Sequence, residues 1–236
     1  MNHSKRFREL EKQVEAKKYT LDEGIKKVKA LANAKYDESV DLSIKLMIDI
    51  KKQDQQVRGI SNLPHGTGKT KRVLVLTKGE KEKEAKDAGA DFVGFEEYIE
   101  KIKGGWFDFD VIIATPDGMS DVGKLGKILG PKGLMPSPKS GTVTFEVGPQ
   151  VKALKKGKVE FKSDKGGCVH VPIGRVKFEV DQLRANIETL IEDLMTAKPA
   201  SVKGQFIKSV TISSTIGPGV LLDEKELIKN PPKGGS

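Results

Sequence analysis

The chain has one cysteine, Cys168, one tryptophan and three histidines among its 236 residues, and aromatics make up only 6% of it. A single thiol excludes an internal disulfide and fits a reducing compartment. His3, His65 and His170 stand far apart, with no cysteine or carboxylate at metal-ligand spacing, so no metal and no cofactor is expected. No apolar run approaches the roughly 18 residues of a membrane span. Met1 to Glu15 mixes charges with apolar side chains and lacks the apolar core of a signal peptide. The expectation is a cytoplasmic protein with no membrane partner. So few aromatic rings also argue against a platform that stacks the bases of a single strand.

What the chain has in excess is positive charge. Lys and Arg number 42 against 33 Asp and Glu, a net charge of +9, and charged residues are 32% of the whole. A surplus of this size points to a polyanionic partner. It does not say which part binds, because residues 68–158 carry 17 basic and 13 acidic residues, +4, and the rest of the chain carries the remaining +5.

Hydrophobic spacing divides the chain. Phe7, Leu10 and Val14 share a helical face, and Thr20-Leu21-Asp22-Glu23 has the form of a capping box opening a second helix with Leu21, Ile25, Val28 and Leu31 inward. From Val40 to Ile50 every second residue is apolar, which predicts a half-buried strand. Residues 53–70 are polar and glycine-rich. Beyond them strand and helix patterns alternate: strands at Val73–Leu76, Phe92–Val93, Val111–Ala114 and Val143–Val147, with helices at 79–88, 98–102, 120–129 and 151–156. That alternation predicts a small α/β layer with a largely parallel sheet. After Gly157 the period returns to two, with a hairpin over 159–171, a helix carrying Leu183, Ile187, Leu190, Ile191 and Leu194, and a closing strand at Ser209–Ser213. Neither terminal segment has enough strands to cover its helices alone. The fold class expected is therefore a split α+β domain from 1–67 and 159–236, with an inserted Rossmann-like three-layer α/β domain at 68–158 and glycine-rich hinges at Leu63–Lys69 and Gly157–Val159.

The motifs that suggest enzymes do not hold. Gly66-Thr67-Gly68-Lys69-Thr70 ends like a phosphate loop, but the first glycine of that pattern would fall on Leu63, and a strand follows where a helix is required. No G-x-G-x-x-G follows the first strand of the α/β block. Asp108 and Asp110 read as a turn ahead of a buried strand, His170 as a strand surface residue, and Cys168 lacks a nucleophile's signature. The polar faces are better guides. Ser39, Ser43 and Lys45 on one strand, and Ser209, Thr211 and Ser213 on the other, form one polar surface if the strands are neighbours. The corner Thr215-Ile216-Gly217-Pro218-Gly219 follows, with glycines that tolerate positive φ and close approach. Such a face suits the phosphates and ribose hydroxyls of a folded RNA.

Several stretches then converge on one family. Ala34-Lys35-Tyr36-Asp37-Glu38-Ser39-Val40, Arg58-Gly59, Leu63-Pro64-His65-Gly66 and Leu129-Gly130-Pro131-Lys132-Gly133-Leu134-Met135-Pro136 carry the resemblance, with Phe161-Lys162-Ser163-Asp164-Lys165-Gly166 and Ser214-Thr215-Ile216-Gly217-Pro218-Gly219. Over essentially its whole length the chain resembles the bacterial L-one family of large-subunit ribosomal proteins. The resemblance implies two domains of the kind described above and a non-enzymatic, ribosome-associated protein, monomeric within the ribosome. It also implies binding to large-subunit ribosomal RNA to form the mobile stalk next to the transfer-RNA exit site, assistance in releasing deacylated exit-site transfer RNA, and translational repression through the protein's own operon messenger RNA. By motif match it assigns RNA contact to Lys35, Tyr36, Glu38, Ser39, Lys45, Lys162, Asp164, Ser209, Thr215, Ile216 and Gly217. Tyr36 and Ile216 depart from the family's usual phenylalanine and methionine while keeping apolar surface.

Overall fold

The computed structural model describes residues 4–79 and 81–229 of the chain. In chain order its elements begin α1 (Lys5–Glu11), α2 (Leu21–Leu31), β1 (Ser39–Leu46), β2 (Arg58–Asn62), β3 (Val73–Leu76), α3 (Lys81–Asp87), β4 (Phe92–Gly94), α4 (Glu96–Lys103) and β5 (Val111–Ala114). They continue with α5 (Met119–Lys124), α6 (Gly126–Leu129), α7 (Val147–Lys156), β6 (Lys158–Lys162), β7 (Cys168–Arg175), α8 (Val180–Thr196), β8 (Ile207–Ser214), β9 (Val220–Leu222) and α9 (Glu224–Lys229). The described residues form two compact units, 4–68 with 159–229 and 69–158.

The first unit is built on an antiparallel sheet of order β7-β1-β8-β9. Its central strand β1 alternates strictly, with Val40, Leu42, Ile44 and Leu46 buried and Ser39, Asp41, Ser43 and Lys45 part-exposed. That is the signature of a sheet with one covered face. Leu21, Ile25, Val28 and Leu31 of α2 and Leu183, Ile187, Leu190 and Leu194 of α8 join the inward residues of all four strands in one core. Thr20 caps α2 through the Glu23 amide while the Glu23 carboxylate accepts from the Thr20 amide, so the capping box forms as its spacing predicts.

Two expectations need correction here. β1 stops at Leu46 and does not reach Ile50, because Asp49 turns the chain: its carboxylate accepts from the Lys51 amide at 3.1 Å and its carbonyl from the Lys52 amide at 3.1 Å. The hairpin over 159–171 is a tight turn whose arms part into different sheets, β6 pairing with β2 and β7 with β1. A single bridge, Ser163 to Val169, joins the arms, while the Ser163 amide donates to the Val57 carbonyl instead.

In the second unit the sheet is parallel, of order β4-β3-β5. All four residues of β3 are buried. Leu74 and Leu76 face a core with Ile99, Ile102, Val122, Leu125 and Leu129, and Val73 and Val75 face another with Ala85, Val147, Val151 and Leu154. Helices thus cover both faces, as a parallel sheet requires. The strand expected at Val143–Val147 does not form: Val143 makes one bridge to Ala114, Phe145 is 53% exposed, and Val147 already opens α7. Pro149 in the first turn of α7 costs nothing there, since that N–H has no intrahelical partner. The helix expected over 120–129 is broken at Leu125 into α5 and α6. Asp110 accepts from the Arg72 amide at 2.9 Å and latches the start of β5, as a turn residue should.

Candidate nucleic-acid interface

The uncovered face of the first unit's sheet is made by register. Antiparallel pairing sets Asp41 between Pro172 and Ser213, Ser43 between His170 and Thr211, and Lys45 between Cys168 and Ser209. Because side chains alternate along strands, all nine residues point to the same side, opposite α2 and α8. The two hydroxyl-bearing strands are therefore direct neighbours. The Ser43 hydroxyl meets Nδ1 of His170 at 2.9 Å, and the Lys45 ammonium donates to the Gly166 carbonyl. Asp41 lies on the central strand of this face. Burial pushes its carboxyl above the ordinary range, partly offset by Arg175 and His170.

At one end of the face stands the corner. Glu38 is 2% exposed, with one oxygen accepting from the Ala34 amide and the other from the Ile216 amide, each at 3.1 Å. It ties the loop bearing Lys35 and Tyr36 to the corner bearing Ile216. Tyr36 at 55% and Ile216 at 38% are exposed apolar surface beside that brace. The Thr215 hydroxyl accepts from the Ser39 amide at 2.9 Å and donates to the Ser39 carbonyl at 3.3 Å, and the Thr215 amide also donates to that carbonyl at 3.1 Å. The glycines of the corner serve a purpose other than positive φ, which neither adopts. A Cβ on Gly217 would stand 2.5 Å from Oγ of Ser214, and one on Gly219 would stand 2.8 Å from Cγ2 of Thr211. Close approach is what the corner demands.

At the other end, about 20 Å away by the rise of the strand from Ser39 to Lys45, lies the turn after β6. Asp164 accepts from the amides of Gly166 and Cys168, both at 2.7 Å. The Cys168 amide first, then that of Gly166 with His170 alongside, holds its carboxyl below the usual value. Lys162 is exposed at the end of β6, on the two-stranded sheet and not on the main face. The eleven residues assigned from the family pattern thus separate. Lys45, Ser209 and Asp164 cluster at one end; Lys35, Tyr36, Glu38, Ser39, Thr215, Ile216 and Gly217 cluster at the other; Lys162 flanks. Two of these assignments change character: the Glu38 carboxylate is buried with both oxygens engaged, and the Thr215 hydroxyl is committed to the Ser39 backbone. Both hold the corner in shape.

Three further features escaped the sequence. Asn186, fully buried in the apolar stripe of α8, accepts from the His65 amide at 3.1 Å and donates to the carbonyls of Gly66 at 2.9 Å and Ile173 at 2.7 Å. It anchors residues 65–66 within the first unit, so the stretch expected to be a hinge from Leu63 is held as far as Gly66. Arg6 donates to the Ile216 carbonyl at 3.4 Å, a contact across 210 positions that no local pattern announces. Finally, Asp164, Cys168 and His170 have ligand atoms within 4.8 Å of one another. No cysteine or carboxylate is expected from the sequence at metal-ligand spacing from a histidine, whereas the fold gathers one of each around His170; His3 lies outside the described residues.

The sheet face that α2 and α8 leave open is polar, with lysine, hydroxyl and imidazole groups beside Asp41, on a chain of net charge +9. The model of the ribosomal protein L1p/L10e family matches residues 28–218, and the chain belongs to that family. It is a large-subunit ribosomal protein that binds ribosomal RNA. No helix among the described residues is long and apolar enough to cross a membrane.

Proposed function

We propose that the uncovered face of β7-β1-β8, from the Thr215–Gly217 corner to the Lys45–Asp164 end, is the ribosomal RNA contact surface. The register that sets Ser43 beside Thr211 and Lys45 beside Ser209 carries this reading, because it assembles donors and acceptors from distant segments on one strip. Lys35, Tyr36, Ser39, Lys45, Lys162, Asp164, Ser209, Ile216 and Gly217 touch RNA, while Glu38 and Thr215 position the corner. The two compact units act as domains, 1–67 with 159–236 and 68–158, that move about their crossings. On the ribosome the protein is a monomer forming the mobile stalk next to the transfer-RNA exit site, where it assists release of deacylated transfer RNA. Off the ribosome it represses translation by binding its own operon messenger RNA. It works by binding, without catalysis. Family membership and the basic balance of both units support these steps.

Footprinting the protein on large-subunit ribosomal RNA tests the surface. Wild type should protect one contiguous helical region, and Lys45→Ala should weaken binding and lower the slope of log affinity against log salt by about 0.7–0.9. A footprint and salt slope unchanged in Lys45→Ala combined with Ser43→Ala and Thr211→Val would place the RNA elsewhere on the protein.

A further inference from the structure

We propose that Asp164, Cys168 and His170 form an open three-ligand site for a divalent transition metal ion of the zinc class. Cys168 and His170 are two positions apart on β7 and therefore share its polar face. The preceding turn folds Asp164 back onto them, with all three ligand atoms within 4.8 Å of one another. Oδ2 of Asp164 lies 3.6 Å from Nε2 of His170. That is too long for a hydrogen bond and close to the ligand–ligand edge of about 3.4 Å implied by tetrahedral bonds of about 2.0–2.1 Å.

Two of the three ligands, His170 and Asp164, are also oriented by neighbours. The Ser43 hydroxyl holds Nδ1 of His170 at 2.9 Å, so Nε2 is the nitrogen turned toward Asp164. Oδ1 of Asp164 is fixed by two backbone N–H groups at 2.7 Å each, which leaves Oδ2 as its metal-facing oxygen. Outer partners of this kind set ring tautomer and carboxylate orientation in metal sites. Thiolate, imidazole and carboxylate together suit zinc or cobalt far better than magnesium, which prefers all-oxygen ligands. A thiolate and a carboxylate neutralise a doubly charged ion, so the ammonium of Lys45, already donated to the Gly166 carbonyl, is tolerated nearby. Asp164 and His170 are exposed and Cys168 part-exposed, which leaves a fourth coordination position for water.

Cobalt(II) added to metal-free full-length protein tests this directly, because Cys168 is the chain's only thiol and any thiolate-to-cobalt charge-transfer band must come from it. One equivalent should raise that band, zinc should abolish it by displacement, and excess magnesium should leave it intact. Cys168→Ser should remove the band, and His170→Gln or Asp164→Asn should weaken zinc binding at least tenfold, with circular dichroism confirming that each variant is folded. Ser43→Ala, which touches no metal, should weaken binding about 10-fold or more through the freed imidazole. A folded wild type without the band, zinc affinity unchanged in folded Cys168→Ser, or displacement by magnesium overturns the site. Ribosomal RNA binding measured in excess chelator is read separately: its persistence alongside a failed cobalt titration removes the metal site and leaves the RNA surface standing.

Discussion

The two sheets of this protein solve burial differently. In the second unit β3 is apolar at every position, Val73-Leu74-Val75-Leu76, and helices close over both of its faces. In the first unit β1 alternates, and only the face bearing Val40, Leu42, Ile44 and Leu46 lies in a core. A parallel sheet joined by crossover helices has no face to spare, whereas an antiparallel sheet needs only one side covered. The difference leaves the polar side chains of the first sheet on a face that its own helices do not cover.

Substitutions in adjacent strand positions should break this contrast most forcefully. Ile44→Ala should cost about 2–5 kcal/mol in urea unfolding, while Ser43→Ala should stay within about 0.5 kcal/mol. In β3, Leu74→Ala and Val75→Ala should both destabilise, by about 2–4 kcal/mol each. Equal losses at Ser43 and Ile44 would mean that the first sheet is covered on both sides.

Next in size is the corner. Gly217→Ala drives a methyl against Ser214 and should cost about 1–3 kcal/mol, seen as lost RNA affinity because the loop carries exposed Ile216. Thr215→Val removes both hydroxyl bonds to Ser39 and should lower affinity by about 1–3 kcal/mol. Unchanged RNA binding in both folded variants would take the corner out of the interface.

A smaller effect is expected from removing the second unit. The first unit's core draws every residue from 10–63 and 159–227, so a chain with 69–158 replaced by a short flexible linker should fold and keep specific RNA affinity within about tenfold, or about 1.4 kcal/mol. A well-folded deletion that no longer binds would assign recognition to the doubly covered sheet.

The smallest effect concerns Asp41. Its carboxyl is raised by burial, so its contribution to stability is full below the unfolded-state value and is lost as pH rises through the higher folded-state value. Asp41→Asn should therefore be the more stable protein at neutral pH and should lose its advantage in acid, as measured by urea midpoints across that range. The same substitution should strengthen RNA binding slightly, since it removes a negative charge facing phosphates.

Much of this was legible in local pattern. The Thr20–Glu23 capping box, the alternation of β1 from Ser39 to Leu46, the stripe of α8 and the apolar run of β3 each depend on residues within a turn or a strand of one another. So did the hydroxyl rows of β1 and β8 as separate strips, and the net charge that calls for a polyanion. Their union was not legible, because 164 positions separate Lys45 from Ser209 and only backbone pairing sets them side by side. The same holds for Asn186, whose polar group looks like an error in an apolar stripe until the carbonyls of Gly66 and Ile173 meet it. Glu38 and Thr215 read as surface ligands until the fold engaged them: Glu38 is buried and accepts from the Ala34 and Ile216 amides, and the Thr215 hydroxyl bonds the amide and carbonyl of Ser39. Local spacing determined most of the elements and which side of each is apolar, the strand expected at Val143–Val147 and the unbroken helix over 120–129 excepted. Long-range strand pairing decided which polar sides share one face, and the turn closed by the Asp164 carboxylate decided that Asp164, Cys168 and His170 converge, because neither a register nor a turn's side-chain bonds can be read from spacing.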